Sequence, residues 1–164
     1  MTAILEARDL GVAERLRGVT LSLHGGRALA VVGRNGSGKT TLLRALLGLE
    51  RHQGEVVAGG VPVGALPPVV RAARMAWLPQ AAPVPEGLTA LDVVAAARFR
   101  FGEGRGASEA AARAALDRAG VGGLAARRLD TLSGGEAQRV RMAALDAQQA
   151  ELWLLDEPGN HLDP

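Results

Sequence analysis

The segment Gly33-Arg34-Asn35-Gly36-Ser37-Gly38-Lys39-Thr40 constrains this chain more than any other feature. It spells G-x-x-x-x-G-K-T between a short apolar run, Ala28 to Val32, and a helical run in which Leu42, Leu43, Ala45, Leu46 and Leu47 form one face closed by Gly48. A match of this kind arises by chance in roughly one chain in a thousand of such composition. Glycines there let successive backbone N–H groups turn inward, and the following helix directs its positive end at the same point. The segment therefore predicts a buried strand, a glycine loop and a helix in that order, the opening unit of an α/β fold.

Residues 3 to 8 and 19 to 23 read as strands, and Glu55 to Ala58 and Val61 to Val63 flank Gly59-Gly60 as a hairpin. Met75 to Leu78 is a further short strand closed by Pro79, with Gln80 just past it. Alanine-rich helices are expected over Thr89 to Phe101 and Ser108 to Ala119, broken by the glycines of 102 to 106. After Leu132-Ser133-Gly134-Gly135-Glu136, the residues Ala137, Val140, Ala143, Ala144 and Ala147 share a helix face, and Leu152 to Leu155 is a second buried strand. Trp77 and Trp153 fall in these strands and are expected in the core, whereas the surroundings of Asp146 are left open. No internal repeat or low-complexity linker interrupts the chain. One domain over 1-164 is therefore expected, with an antiparallel N-terminal β part and an inserted helical part over about 88-150.

Composition removes several function classes. Without cysteine there is no disulfide framework, thiolate metal site or thiol nucleophile. No apolar run approaches the ~18 residues of a membrane span, and no basic start followed by an apolar run marks a secretory signal, so a cytoplasmic chain is expected. The sequence pI of 10.3 contrasts with a formal charge of only +2. Lys39 is the single lysine and tyrosine and cysteine are absent, so almost nothing titrates between neutrality and the guanidinium range. The arginines are scattered, which argues against a nucleic-acid footprint.

Three groups of residues carry chemistry. In the glycine loop, Lys39 suits neutralisation of β- and γ-phosphates, and the Thr40 hydroxyl is a hard oxygen suited to the Mg²⁺ that bridges them. Leu152-Trp153-Leu154-Leu155-Asp156-Glu157 is an apolar strand delivering two carboxylates at its C-terminal end, where α/β sheets place ligands. Asp156 suits the Mg²⁺ shell, and Glu157 the base that orients an attacking water. Ser133 with the amides of Gly134 and Gly135 makes a second phosphate nest at a helix start; the same pentapeptide reads equally as an N-cap, Ser133 capping with Glu136 three residues on.

The ordered set of glycine loop, Leu78-Pro79-Gln80, Leu132 to Glu136 and Leu154-Leu155-Asp156-Glu157-Pro158 resembles the nucleotide-binding domain of ATP-binding cassette (ABC) proteins, from about Leu5 to Pro164. The resemblance implies a P-loop NTPase core and ATP with Mg²⁺ as ligands. Gly33 to Thr41, including Thr41 itself, would hold the phosphates in one protomer, capped by Ser133, Gly134 and Gly135 of a second in a head-to-tail homodimer. Gln80 matches the glutamine that senses the Mg²⁺ and water site and couples it to a membrane partner, and Asp163 of Asn160-His161-Leu162-Asp163 matches an aspartate of the dimer interface. The function implied is the ATP-hydrolysing subunit of a prokaryotic importer, peripheral on the inner face of the membrane, served by integral permease subunits and by a substrate-binding protein. Within that class, Arg71 to Gln80 and Leu129 to Glu136 are similar to importers of ferric siderophores, haem or cobalamin. Two departures stand out: 10 to 20 lacks the aromatic that family members stack on adenine, and none of His24, His52 or His161 fits the switch histidine that members carry further along, so the 164-residue chain is expected to be catalytically incomplete. The alternatives are a soluble ABC-type ATPase acting on ribosomes or DNA and a hydrolysis-deficient remnant.

Overall fold

The computed structural model describes residues 3–80 and 86–159. By contact density the chain divides into two compact units, Met1–Met75 and Ala76–Pro164.

The first unit is built on an antiparallel sheet. Strands β1 (Ala3–Val12) and β2 (Leu16–His24) form a hairpin, and β3 (Gln53–Ala58) and β4 (Val61–Pro62) complete the order β2-β1-β3-β4. Register pairs Leu5 with Leu23 and with Ala58, so β1 lies inside the sheet between β2 and β3. Period-two alternation puts Leu5, Ala7, Leu10 and Val12 on one buried face, joined by Val56 and Ala58. The β3–β4 turn places Gly59 and Gly60 at φ 54° and 79°, the two positive angles that a type I′ turn demands. Helix α1 (Lys39–Leu46) lays Leu42, Ala45 and Leu46 into this core and touches β1. Helix α2 (Pro68–Arg74) starts on proline, whose fixed φ suits a first turn.

Ala28 to Val32 departs from expectation. No ladder includes it, and Leu29, Val31 and Val32 are 51%, 39% and 88% exposed. A strand exists only where a neighbour supplies hydrogen bonds, and no described strand pairs with this run. His24 is the last residue of β2.

The second unit, which begins one residue into β5 (Met75–Leu78), combines a two-stranded sheet of β5 with β6 (Leu152–Leu155) and a helical core. Helices α3 (Ala90–Ala96), α4 (Arg105–Arg118) and α5 (Gly134–Gln148) bury Ala90, Val94, Ala112, Ala115, Leu116, Val140 and Ala143 against one another. Alanine at these crossings allows close approach of the helix axes. Helix α3 opens with a capping box between Thr89 and Asp92 and stops at Ala96, short of the expected Phe101; a 3-10 turn, Phe99–Phe101, takes over. Arg98 is 7% exposed, pairs with Glu103, and donates to the Ala147 carbonyl at 2.9 Å, while Arg100 donates to those of Gln148 and Gln149 at 2.9 and 3.1 Å. Two guanidinium groups thereby satisfy the orphan carbonyls of the α5 C-terminus, the end of a helix that attracts positive charge. Asp146, half-exposed, accepts from Arg118. Trp153 is 40% exposed, against expectation: β6 buries only Leu154 among its four residues. No helix among the described residues is long and apolar enough to cross a membrane.

Candidate functional site

Each unit carries candidate site residues of its own. In the first, the backbone of 27 to 34 leads into a turn in which Ser37 N–H donates to the Arg34 carbonyl at 3.1 Å. Glycine is required at Gly38 and eases packing at Gly33, where the neighbour is a rotatable serine hydroxyl. A Cβ on Gly38 would lie 2.9 Å from a Leu16 methyl and 3.1 Å from the Arg15 carbonyl, and its φ of 92° is left-handed besides; a Cβ on Gly33 would lie 2.6 Å from Ser37 Oγ. Gly38 caps α1, whose first turn carries no acidic residue, so the amides and the positive end of the helix face outward undiminished. Arg34, Asn35, Gly36, Ser37 and Thr40 are exposed around this end, with Lys39 and Thr41 half-buried. The Lys39 ammonium folds back over the loop and donates to the Gly33 and Arg34 carbonyls at 3.0 and 3.2 Å. A charged donor held on neutral carbonyls within the loop can exchange them for anionic oxygens without moving far.

In the second unit, Asp156 N–H donates to the Leu78 carbonyl at 2.9 Å, which aligns the ends of β6 and β5. That pairing brings the second residue after each strand together: Gln80 Nε2 donates to Glu157 Oε2 at 2.7 Å. Asp156 is 3% exposed and Glu157 half-buried beside it. Glu157 has φ 50°, a left-handed angle rare for a non-glycine residue and characteristic of strained functional positions. Three of the expected residues, Gln80, Asp156 and Glu157, are thus assembled at one strand end.

Ser133 caps α5 in a capping box: its hydroxyl accepts from Glu136 N–H at 3.3 Å, and its own N–H donates to Glu136 Oε2 at 2.9 Å. Donation from the Ser133 backbone and then from its side chain holds the Glu136 carboxyl below its ordinary range. The capping role is therefore real, and it leaves Ser133 and Gly134 exposed at the helix start. Asp163, with Asn160, His161 and Leu162, lies outside the described residues.

Two residues escaped the sequence reading. Gln138 on α5 is 7% exposed and donates through Nε2 to the Pro158 carbonyl, at 3.1 Å, immediately after Glu157. Its signal was a second apolar stripe on α5, since Met142 and Leu145 follow it at i+4 and i+7 and pack toward Ala76 and Leu78. Arg98 carried no comparable signal, because an arginine after an alanine-rich helix reads as solvated.

The ABC transporter family model matches residues 16–160. The hemin import ATP-binding protein HmuV of Pseudomonas fluorescens (strain Pf0-1) is 40% identical over 158 residues, 91% of this chain and 61% of that protein. The protein of the same name from Myxococcus xanthus (strain DK1622) is 42% identical over 173 residues, 97% of this chain and 65% of its own length. A solved ATP-binding subunit of an ABC transporter superposes with a TM-score of 0.85 at 25% identity, covering 98% of this chain and 69% of that one. The chain thus spans less than two-thirds of the length of the curated relatives it matches. With a glycine loop on a helix start in one unit, an acid pair at a strand end in the other, and a family match running from Leu16 through both, the chain belongs to the ABC transporter family.

Proposed function

We propose that this chain is the ATP-binding and ATP-hydrolysing part of a prokaryotic ABC importer subunit. The observation that carries the reading is the strand-end group in which Gln80 donates to Glu157 beside buried Asp156. Gly33 to Thr41 bind the phosphates: Lys39 exchanges the Gly33 and Arg34 carbonyls for phosphate oxygens, and the amides at the start of α1 complete the cradle. Thr40 and Asp156 are the residues that would hold Mg²⁺, whose chemistry when bound is neutralisation of phosphate charge. The donor set fits that ion. Among the described residues no cluster of three or more His, Cys, Asp or Glu could hold a metal unaided, and Mg²⁺ is suited to one carboxylate and one hydroxyl with substrate phosphates completing its shell. Glu157 orients the attacking water and takes its proton, and Gln80 fixes the carboxylate that does so.

By the same reading Ser133, Gly134 and Gly135, exposed or half-buried at the start of α5, cap the nucleotide held by a second copy in a head-to-tail homodimer, with Asp163 at that interface. One ATP-binding domain takes in 1-164, with its helical part over about 88-150. Membrane permease subunits are the partners, a substrate-binding protein delivers cargo, and the subunit works on the inner face of the membrane. Hemin or a related metal chelate is the cargo, a reading supported by the names of the relatives.

Glu157→Gln in the full-length protein tests this. ATP affinity should stay within about 3-fold of wild type while turnover falls by ~10²-fold or more and the ATP-bound dimer accumulates. Turnover at the wild-type rate would remove Glu157 as the base.

A further inference from the structure

We propose that Gln138 is a positioning residue for Glu157. The inference rests on the hydrolytic reading above and goes beyond it by naming what holds the base in place.

Glu157 is in an unfavourable backbone state for two reasons. Its φ of 50° crowds the Cβ of any L-residue, and it precedes Pro158, whose ring pushes the preceding residue toward extended backbone. Such a conformation persists only where the surroundings over-determine it. Two anchors straddle it. On one side Gln80 grips the carboxylate at 2.7 Å; on the other Gln138 donates to the Pro158 carbonyl at 3.1 Å.

Packing alone does not explain an amide at position 138. The stripe it shares with Met142 and Leu145 is otherwise apolar, and a buried carboxamide is unfavourable unless its donors and acceptors are matched. The Gln138 acceptor meets Arg141 only at 3.5 Å, so the contact with Pro158 is the main one its side chain makes. Gln138 also lies five residues beyond Ser133 on the same helix. The helix that presents the second phosphate nest therefore also fixes the backbone just past the base, and a shift of α5 reaches Glu157 through one hydrogen bond.

Gln138→Met keeps the length and the apolar packing and removes the donor; Gln138→Asn keeps an amide too short to reach and serves if the first variant folds poorly. Val140→Ala, on the opposite helical core, is the matched loss of stability. Two readouts in the full-length protein are needed. The backbone coupling constant and Cα shift of Glu157 by NMR report its φ without any activity. The kcat for MgATP, set against the equilibrium Kd for ATP, reports the chemistry.

The proposal expects both Gln138 variants to lose the positive-φ signature and about 10- to 100-fold in kcat with Kd within about 2-fold, and Val140→Ala to change neither. Signature retained, or signature and rate moving independently, overturns it. A wild-type protein that shows the signature and hydrolyses no ATP would instead refute the hydrolytic reading and leave the positioning geometry standing.

Discussion

Lys39→Ala separates the electrostatics of the glycine loop from its folding. The ammonium donates to two carbonyls, at 3.0 Å to Gly33 and 3.2 Å to Arg34. Binding therefore exchanges two bonds to neutral acceptors for two to anionic ones, and only the difference favours the complex. A bond from an ammonium contributes about 1.5–3 kcal/mol, with neutral carbonyls at the low end and anionic oxygens at the high end, so the exchange is worth about 3 kcal/mol for the pair. Removing the ammonium should weaken MgATP binding by roughly 10²-fold. The two carbonyls sit in an exposed loop where water replaces the lost donor, so stability should change by less than about 1 kcal/mol. Titration calorimetry gives the first quantity and urea unfolding the second. An affinity within about 3-fold of wild type refutes the assignment of Lys39 to phosphate. A loss of affinity matched by a comparable loss of stability refutes the exchange argument, because the lysine would then be acting through the fold.

Arg98→Met should cost about 2–3 kcal/mol in urea unfolding, since it strands the Ala147 carbonyl at the end of α5; a change below about 1 kcal/mol would show that water reaches that carbonyl. Acid stability should depend on the α3 capping box. Donation from the Thr89 hydroxyl, then from its backbone N–H, holds the Asp92 carboxyl below its ordinary 3.8. A depressed folded value means that the stabilisation is complete above pH 3.8 and is lost as pH falls through the lower folded value. Asp92→Asn should flatten that acid limb of the urea midpoint and leave the midpoint's slope near neutrality unchanged.

Local features were legible in the sequence wherever a short range of residues decides the outcome. Gly59-Gly60 specifies its turn by backbone freedom alone, and Ser133 with Glu136 specifies a cap, whereas the strand read over residues 3 to 8 runs on to Val12 through irregularities of register that pairing with β2 and β3 sustains. Features that depend on distant partners were not. Ala28 to Val32 has the composition of a buried strand, but strand formation depends on neighbours that the run itself does not encode. Trp153 lies on a four-residue strand that buries one residue, so its size did not determine its place. Gln138 and Arg98 matter because of carbonyls 20 and 49 residues away, and single-residue polarity carries no information about either. The glycine loop and the acid pair stood out because the chemistry proposed for them needs contiguous residues.

Crystallisation of full-length Glu157→Gln with MgATP tests the central claim most directly. The account predicts ATP phosphates on the amides of Gly36 to Thr41 with the Lys39 ammonium on them, Ser133 and Gly134 of a second copy closing the far side, and residue 157 within reach of the water in line with the γ-phosphate. Nucleotide bound away from the glycine loop, or a closed dimer with residue 157 remote from that phosphate, would contradict it.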